Sequence, residues 1–218
     1  MSTVVVEENV LVPDWVKDLE SFRRWYLSDD FPNSGVISYI QKEVWLDLKM
    51  EELAHNQVKG EIAAVLTLFL KKNPLGKYFQ DRFRLINWQA NLSTEPDGMF
   101  VSWETLQNEQ AKLVEGEKGW MELEGTPDMV LEVVSASSVK KDTVKLRKSY
   151  WQAEIPEYWL VDGRPDRFSF EILRSNSRGY VPARKSGSWQ SSPVFGQDFK
   201  LEKGTDKLGY PEFTLASR

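Results

Sequence analysis

The run PDMVLEVVS, Pro127 to Ser135, is apolar on both faces of an extended backbone, the pattern of a strand covered on both sides within a sheet. A carboxylate, Glu132, sits in the middle of it. A lone charge withdrawn from water is costly unless it is paired, hydrogen-bonded or bound to a cation, so this position demands a partner. The strand therefore constrains the fold and poses a chemical question together.

The 218 residues suffice to bury a proper core, and the length favours one domain, 1–218, with elaborations. A net charge of -5 argues against a protein that coats nucleic acid through bulk electrostatics, though it allows a local basic groove. There are no cysteines, hence no disulfide framework and no thiolate metal site. The first residues, MSTVVVEENVLVPDW, lack the basic flank of a signal peptide, and the longest apolar run, Ala63 to Leu70, is too short to span a bilayer. These features predict a soluble cytoplasmic chain with no membrane partner.

Ahead of Pro32, Trp15, Leu19, Phe22, Trp25 and Tyr26 recur at helical spacing, which predicts an amphipathic helix packed on the main body. Glu43 to Lys49 alternates as a half-buried strand. From Met50 to Lys72 the apolar residues recur at three and four, predicting a long helix that Pro74 and Gly76 end. Asp81 to Asn91 and Glu95 to Trp103 read as two strands, and Glu104 to Gly119 as a loop with one helical turn. After the opening strand, Asp142 to Glu154 reads as a short helix with Asp142 as its N-cap. Glu157 to Gly163 is again a buried strand, and the remainder reads as antiparallel strands. The order helix, three strands, helix, strand predicts an α/β (α+β) fold with a mixed sheet and at least one crossover.

Asp128 and Glu132 lie four apart, so on a strand their side chains share a face. Asp97 follows Pro96 at the start of the preceding strand; if the two strands are neighbours, Asp97 and Glu132 converge. Two carboxylates without thiols form an oxygen-rich site suited to Mg2+ or Mn2+. Lys140, Lys141 and Lys145 crowd the start of a helix, where the macrodipole disfavours cations, so a nearby carboxylate or phosphate is the alternative to plain surface charge. On the long helix, Glu52 and His55 are three apart and share a face. His55 is the one histidine of the chain, which makes it a positioner in preference to a ligand.

The phrases EPDGMFVS, GTPDMVLEVVSASSVKKDT and YWQAEIPEYWLVD, taken together and in this order, resemble the Uma-type restriction endonuclease family of the PD-(D/E)XK nuclease superfamily. The resemblance runs from Val36 to Gly196. It implies a restriction-endonuclease-like mixed sheet flanked by helices; with the elements read above, the chain divides into an N-terminal helical extension over 1–35, a nuclease-like core over 36–165 and a β-rich extension over 166–218. It also implies a site in which Asp97 and Glu132 hold Mg2+ or Mn2+ and a lysine completes the chemistry. Val134 stands where the superfamily's plain pattern has that lysine; Lys145 on the following helix is the first candidate and Lys141 the second. Asp128 is either a further ligand or a residue that opens the strand, and Glu52 and His55 are possible additions from the first helix. The activity implied is metal-dependent hydrolysis of DNA phosphodiester bonds, in a protein that dimerises if both strands are cut. Two rivals stand against it: a nuclease-like binding module without chemistry, and a glycoside hydrolase using Asp97 and Glu132 as its acid and base.

Overall fold

The computed structural model describes residues 10–32, 35–47, 52–116, 119–164 and 167–218. The expectations that concern residues 1–9, Leu48 and Lys49 of the alternating strand, and Met50 and Glu51 of the long helix lie outside those residues.

Helix α1 (Leu19–Tyr26) starts where Asp18 and Ser21 form a reciprocal cap: the Ser21 N–H donates to Asp18 Oδ1 at 2.8 Å and the Asp18 N–H to Ser21 Oγ at 3.0 Å. Strands β1 (Val36–Ile40) and β2 (Glu43–Asp47) make a hairpin whose two turn residues, Gln41 and Lys42, both have positive φ, the tight turn that matches strand twist. Helix α2 (Leu53–Lys72) follows, then β3 (Gly76–Gln80), β4 (Arg84–Asn87), β5 (Leu92–Thr94) and β6 (Gly98–Ser102). Next come α3 (Trp103–Gln107), β7 (Ala111–Gly116), β8 (Gly119–Gly125) and β9 (Met129–Val134). A π-helical turn, Lys141–Leu146, runs directly into α4 (Arg147–Gln152), and β10 (Glu157–Asp162) completes the crossover. The chain then continues through β11 (Ser169–Asn176), β12 (Gly179–Pro182), β13 (Lys185–Ser186), β14 (Trp189–Ser192), β15 (Gln197–Thr205) and β16 (Pro211–Ser217).

The central sheet has the order β12-β11-β10-β9-β6-β3, with β9 and β10 parallel and every other pair antiparallel. The helix, three strands, helix, strand order holds as α2, β3, β6, β9, α4 and β10. A second sheet, β2-β1-β5-β4-β8-β7, packs on one face of the first, and a third, β13-β14-β15-β16, lies beyond the other. Alternate residues of β9 divide accordingly. Val130 and Val134 join the core shared with the second sheet and α4, whereas Met129, Leu131 and Val133 join the core under α2 and the third sheet. On the outer face of the second sheet, Phe22 and Trp25 of α1 pack on Ile37, Tyr39 and Ile86. The amphipathic helix thus docks as its spacing predicts, although it begins at Leu19 and leaves Trp15 half exposed. No described helix is long and apolar enough to cross a membrane.

Three expectations are corrected. The first core strand is β3, not the run from Asp81; β4, within that run, belongs to the second sheet. Gly76 acts as a strand residue because β3 and β6 approach too closely for a side chain: a Cβ there would lie 2.1 Å from the Val101 carbonyl oxygen. Part of the expected loop from Glu104 is β7, paired with β8. Asp142 is not an N-cap. Its helix starts earlier, where Ser135 and Ser138 exchange backbone-to-hydroxyl bonds of 2.9 and 3.2 Å, so Asp142 sits a turn inside and is buried.

Two links, one of them fully buried, tie elements together. Arg84, 1% exposed, donates to Ser93 Oγ (3.0 Å), the Ile37 carbonyl (3.1 Å) and Glu95 Oε1 (2.5 Å), with its guanidinium 3.9 Å from the centre of the Tyr26 ring. On the opposite flank the Leu215 N–H of β16 donates to Glu61 Oε1 of α2 at 2.8 Å.

Candidate active site

Strands β6 and β9 pair Gly98 with Leu131, and the antiparallel register carried one residue further sets Asp97 opposite Glu132. Directly opposed residues project to the same face, so the two carboxylates of the sequence pattern meet. The Val133 N–H donates to Asp97 Oδ2 at 2.7 Å, which fixes the aspartate against the partner strand. Glu132, 2% exposed, accepts from the Tyr150 hydroxyl of α4 at 2.5 Å.

Both carboxylates line a cavity of about 390 Å³, together with His55 and Lys59 of α2, Arg82, and Lys141 and Asp142 of the π-helical turn. His55 Nε2 lies 3.4 Å from Asp97 Oδ2, and Lys59 Nζ lies 3.7 Å from Asp97 Oδ1 and 3.3 Å from Asp81 Oδ1. Lys141 Nζ is 3.6 Å from Asp142 Oδ1. Burial by itself would raise Asp97, yet the hydrogen bond and charge of His55, the Val133 N–H and Lys59 hold its carboxyl below the ordinary value. Glu132 goes the other way. Burial pushes it well above the usual carboxylate range, the Asp142 and Asp97 charges add to that, and Lys141 and the Tyr150 hydroxyl oppose it only in part. Burial disfavours the Lys141 ammonium, but Asp142, Glu132, Asp97 and Asp47 together raise its pKa. His55 is likewise raised, since Asp97 and the Val133 backbone outweigh burial. Asp142 is pushed up to about 6, mainly by burial, against the pull of Lys141.

Lys145 does not reach the cavity. Its Nζ is 2.8 Å from Glu43 Oε2 at the surface. One helical turn, about 6 Å of rise, separates it from Lys141, which leaves the end of β9 close enough to face Glu132. Asp128 is also elsewhere: it accepts from the Ser102 N–H (2.6 Å) and the Thr105 hydroxyl (2.9 Å), anchoring the start of α3. The shared-face parity with Glu132 is real, but four residues of strand place Asp128 about 13 Å away at the far end of β9. Replacing Asp128 with Ala is expected to cost about 1–2 kcal/mol by denaturant unfolding, because the Ser102 N–H and the Thr105 hydroxyl lose their acceptor. Glu52 is exposed at the start of α2, outside the cavity lining. Lys59 and Tyr150 were not expected at this cavity, and Asp142 was expected only as a helix cap. Lys59 carried a usable signal, since it follows His55 by four residues and so shares its helix face.

The family described as "Putative restriction endonuclease", Uma2, matches residues 19–203. The chain belongs to the Uma2 family. A crystal structure from Anabaena variabilis ATCC 29413, described as "a putative nuclease belonging to DUF820", is similar in fold, with a TM-score of 0.61 at 18% sequence identity over 82% of this chain and 90% of that one. No curated protein matches.

Uma2 membership implies a divalent cation, and the donor set of this Uma2 chain fits one. Six acidic side chains, Asp47, Asp81, Glu95, Asp97, Glu132 and Asp142, line the cavity against three strong bases, Lys59, Arg82 and Lys141. The buried Glu132 carboxylate is incompletely compensated, and every donor is a hard oxygen or an imidazole. Among the described residues no group of three or more acidic or histidine side chains converges with metal-holding geometry.

Proposed function

We propose that this cavity is the active site of a metal-dependent endonuclease that hydrolyses phosphodiester bonds in DNA, with Asp97 and Glu132 holding Mg2+ or Mn2+. The observation that carries this reading is the β6–β9 register, which opposes the two carboxylates in one cavity with the Lys141 ammonium beside them. When bound, the cation would neutralise phosphate charge and acidify an attacking water. Lys141 takes the role that the sequence resemblance gave first to Lys145. With its pKa raised it stays protonated, so it acts on the growing negative charge of the phosphate and not as a base. His55 and Lys59 hold Asp97 ionised and oriented toward the cavity.

Calorimetric titration of Mn2+ and Mg2+, with and without a DNA oligomer, tests the reading. Wild-type protein is expected to bind saturably, more tightly as pH rises because Glu132 must lose its proton first, and the Asp97→Ala/Glu132→Ala double variant not at all. Equal binding by both proteins, or none by the wild type even with DNA present, would overturn it.

A further inference from the structure

A second cavity, of about 270 Å³, opens beside the first and shares Val36, Asp47, Ser137, Ser138 and Lys141 with it. Its own wall is Ser38, Trp45 and Leu46 of the β1–β2 hairpin. The hairpin register pairs Val36 with Asp47 and Ser38 with Trp45, so these four side chains share one face of the ribbon. That face offers an indole ring and a valine for apolar contact, with the Asp47 carboxylate and the Ser137 hydroxyl at its border, while the Ser38 hydroxyl is buried against Thr94 Oγ1 at 3.0 Å. Lys145 adds a cation 5.7 Å from the centre of the Trp45 ring. A flat aromatic surface bordered by hydrogen-bonding groups, one lysine away from a phosphate site, matches a nucleobase attached to the phosphate being cut.

We infer that the second cavity is a nucleobase subsite, with Trp45 as its stacking surface, and that the substrate of the neighbouring centre is therefore single-stranded or unpaired nucleic acid; the inference rests on the nuclease reading of that centre. The reacting carboxylates are recessed, Glu132 being 2% exposed. A phosphate can reach them with its base in the second cavity only if that base has left the stack. In a duplex this requires unpairing and unstacking at each turnover, whereas a single strand offers free bases. Glu43 Oε2 accepts from the Trp45 indole N–H at 3.2 Å and holds the Lys145 ammonium, so the platform and its cation are fixed by one carboxylate.

The test measures anisotropy of a labelled oligothymidylate and of a same-length abasic oligomer, with Ca2+ present, for wild type, Trp45→Ala and Trp45→Phe; steady-state cleavage of single-stranded and duplex DNA follows with Mg2+ or Mn2+. Wild type is expected to prefer the base-bearing oligomer, with Trp45→Ala losing about tenfold in affinity for it and nothing for the abasic one, and Trp45→Phe recovering most of the loss. In cleavage, the alanine change is expected to raise KM for the single strand about tenfold with kcat nearly unchanged. A stacking preference without any cleavage would sustain the subsite and sink the nuclease reading. Cleavage with KM and affinity indifferent to Trp45, or wild-type preference for the duplex, would overturn the subsite and leave the nuclease reading standing. Failure of wild type to distinguish base-bearing from abasic oligomer would also overturn the subsite.

Discussion

Glu132→Gln is expected to lower DNA cleavage by about 10³-fold or more and, in the same protein, to raise thermal stability. The first effect follows from removing one of two carboxylate donors at a centre where charge must be held close to the reacting phosphate. The second follows from burial. Gln has the same shape, keeps an oxygen for the Tyr150 hydroxyl, and ends the cost of an ionised group that its surroundings compensate only in part. A gain of about 1 kcal/mol, near 3 °C in Tm for a chain of this size, is the expected order. The sign in pH separates this account from a general packing effect. Below the ordinary carboxylate value both the folded and the unfolded wild-type chain hold the proton, and Glu132 contributes nothing. As pH rises the unfolded chain ionises first, so wild type loses stability through the interval up to the raised folded value. The variant lacks that contribution, and the difference in Tm between the two proteins should widen from pH 4 upward. Melting curves of both proteins across pH 4–8 check this; a difference that stays constant or narrows would refute the electrostatic account, and cleavage retained by the variant would refute the site.

Arg84→Ala is expected to be the most destabilising single change in the second sheet, at about 3–5 kcal/mol, or near 10 °C in Tm. The guanidinium is buried, its removal leaves Glu95, Ser93 and the Ile37 carbonyl without their donor, and the Tyr26 ring loses the cation beside it. Removing the charge on both sides, as Arg84→Met with Glu95→Gln, should cost much less, since no uncompensated carboxylate remains. Glu95 lines the cavity two residues before Asp97, so the single variant should also lose activity beyond its unfolded fraction. Guanidinium unfolding of the two variants, with cleavage measured well below their melting temperatures, checks both claims. Equal destabilisation by the single and double changes would show that packing, not charge, dominates at Arg84.

How much of this was legible in the sequence varied with the physics behind each element. The buried strand β9 was plain because its apolar residues occupy both pleat faces, and α2 because its period persists for five turns. β3 was hidden because Gly76 serves close strand approach, a tertiary requirement, yet next to Pro74 it looks like the end of a helix. β7 has too few apolar residues to register alone and gains its strand state from pairing with β8. That Asp97 and Glu132 share one cavity was legible because Glu132 interrupts an apolar run and Asp97 opens the strand before it. Which of Lys141 and Lys145 lines that cavity was not, since both lie on the same stretch of helix and only the position of its first turn against β9 decides. Asp128 misled because pleat parity gives the face of a residue without its distance along the strand. Trp45 alternates with apolar residues on the side of its strand that also carries Glu43 and Asp47, a side that sequence alone assigns to water, yet it faces the second cavity because that side of the hairpin is turned toward Lys141.

The bond between Glu61 and Leu215 joins residues 154 positions apart. A ribosome adding about 5–20 residues per second needs roughly 8–30 s to travel that distance. For that interval α2 has been made, with His55 and Lys59 upon it, while β16, which will cover its outer flank, has not. The outer flank of α2 is therefore covered late in synthesis, and a nascent chain stalled before β16 exposes the apolar residues of α2 that Phe213 and Leu215 will pack against to chaperones and proteases.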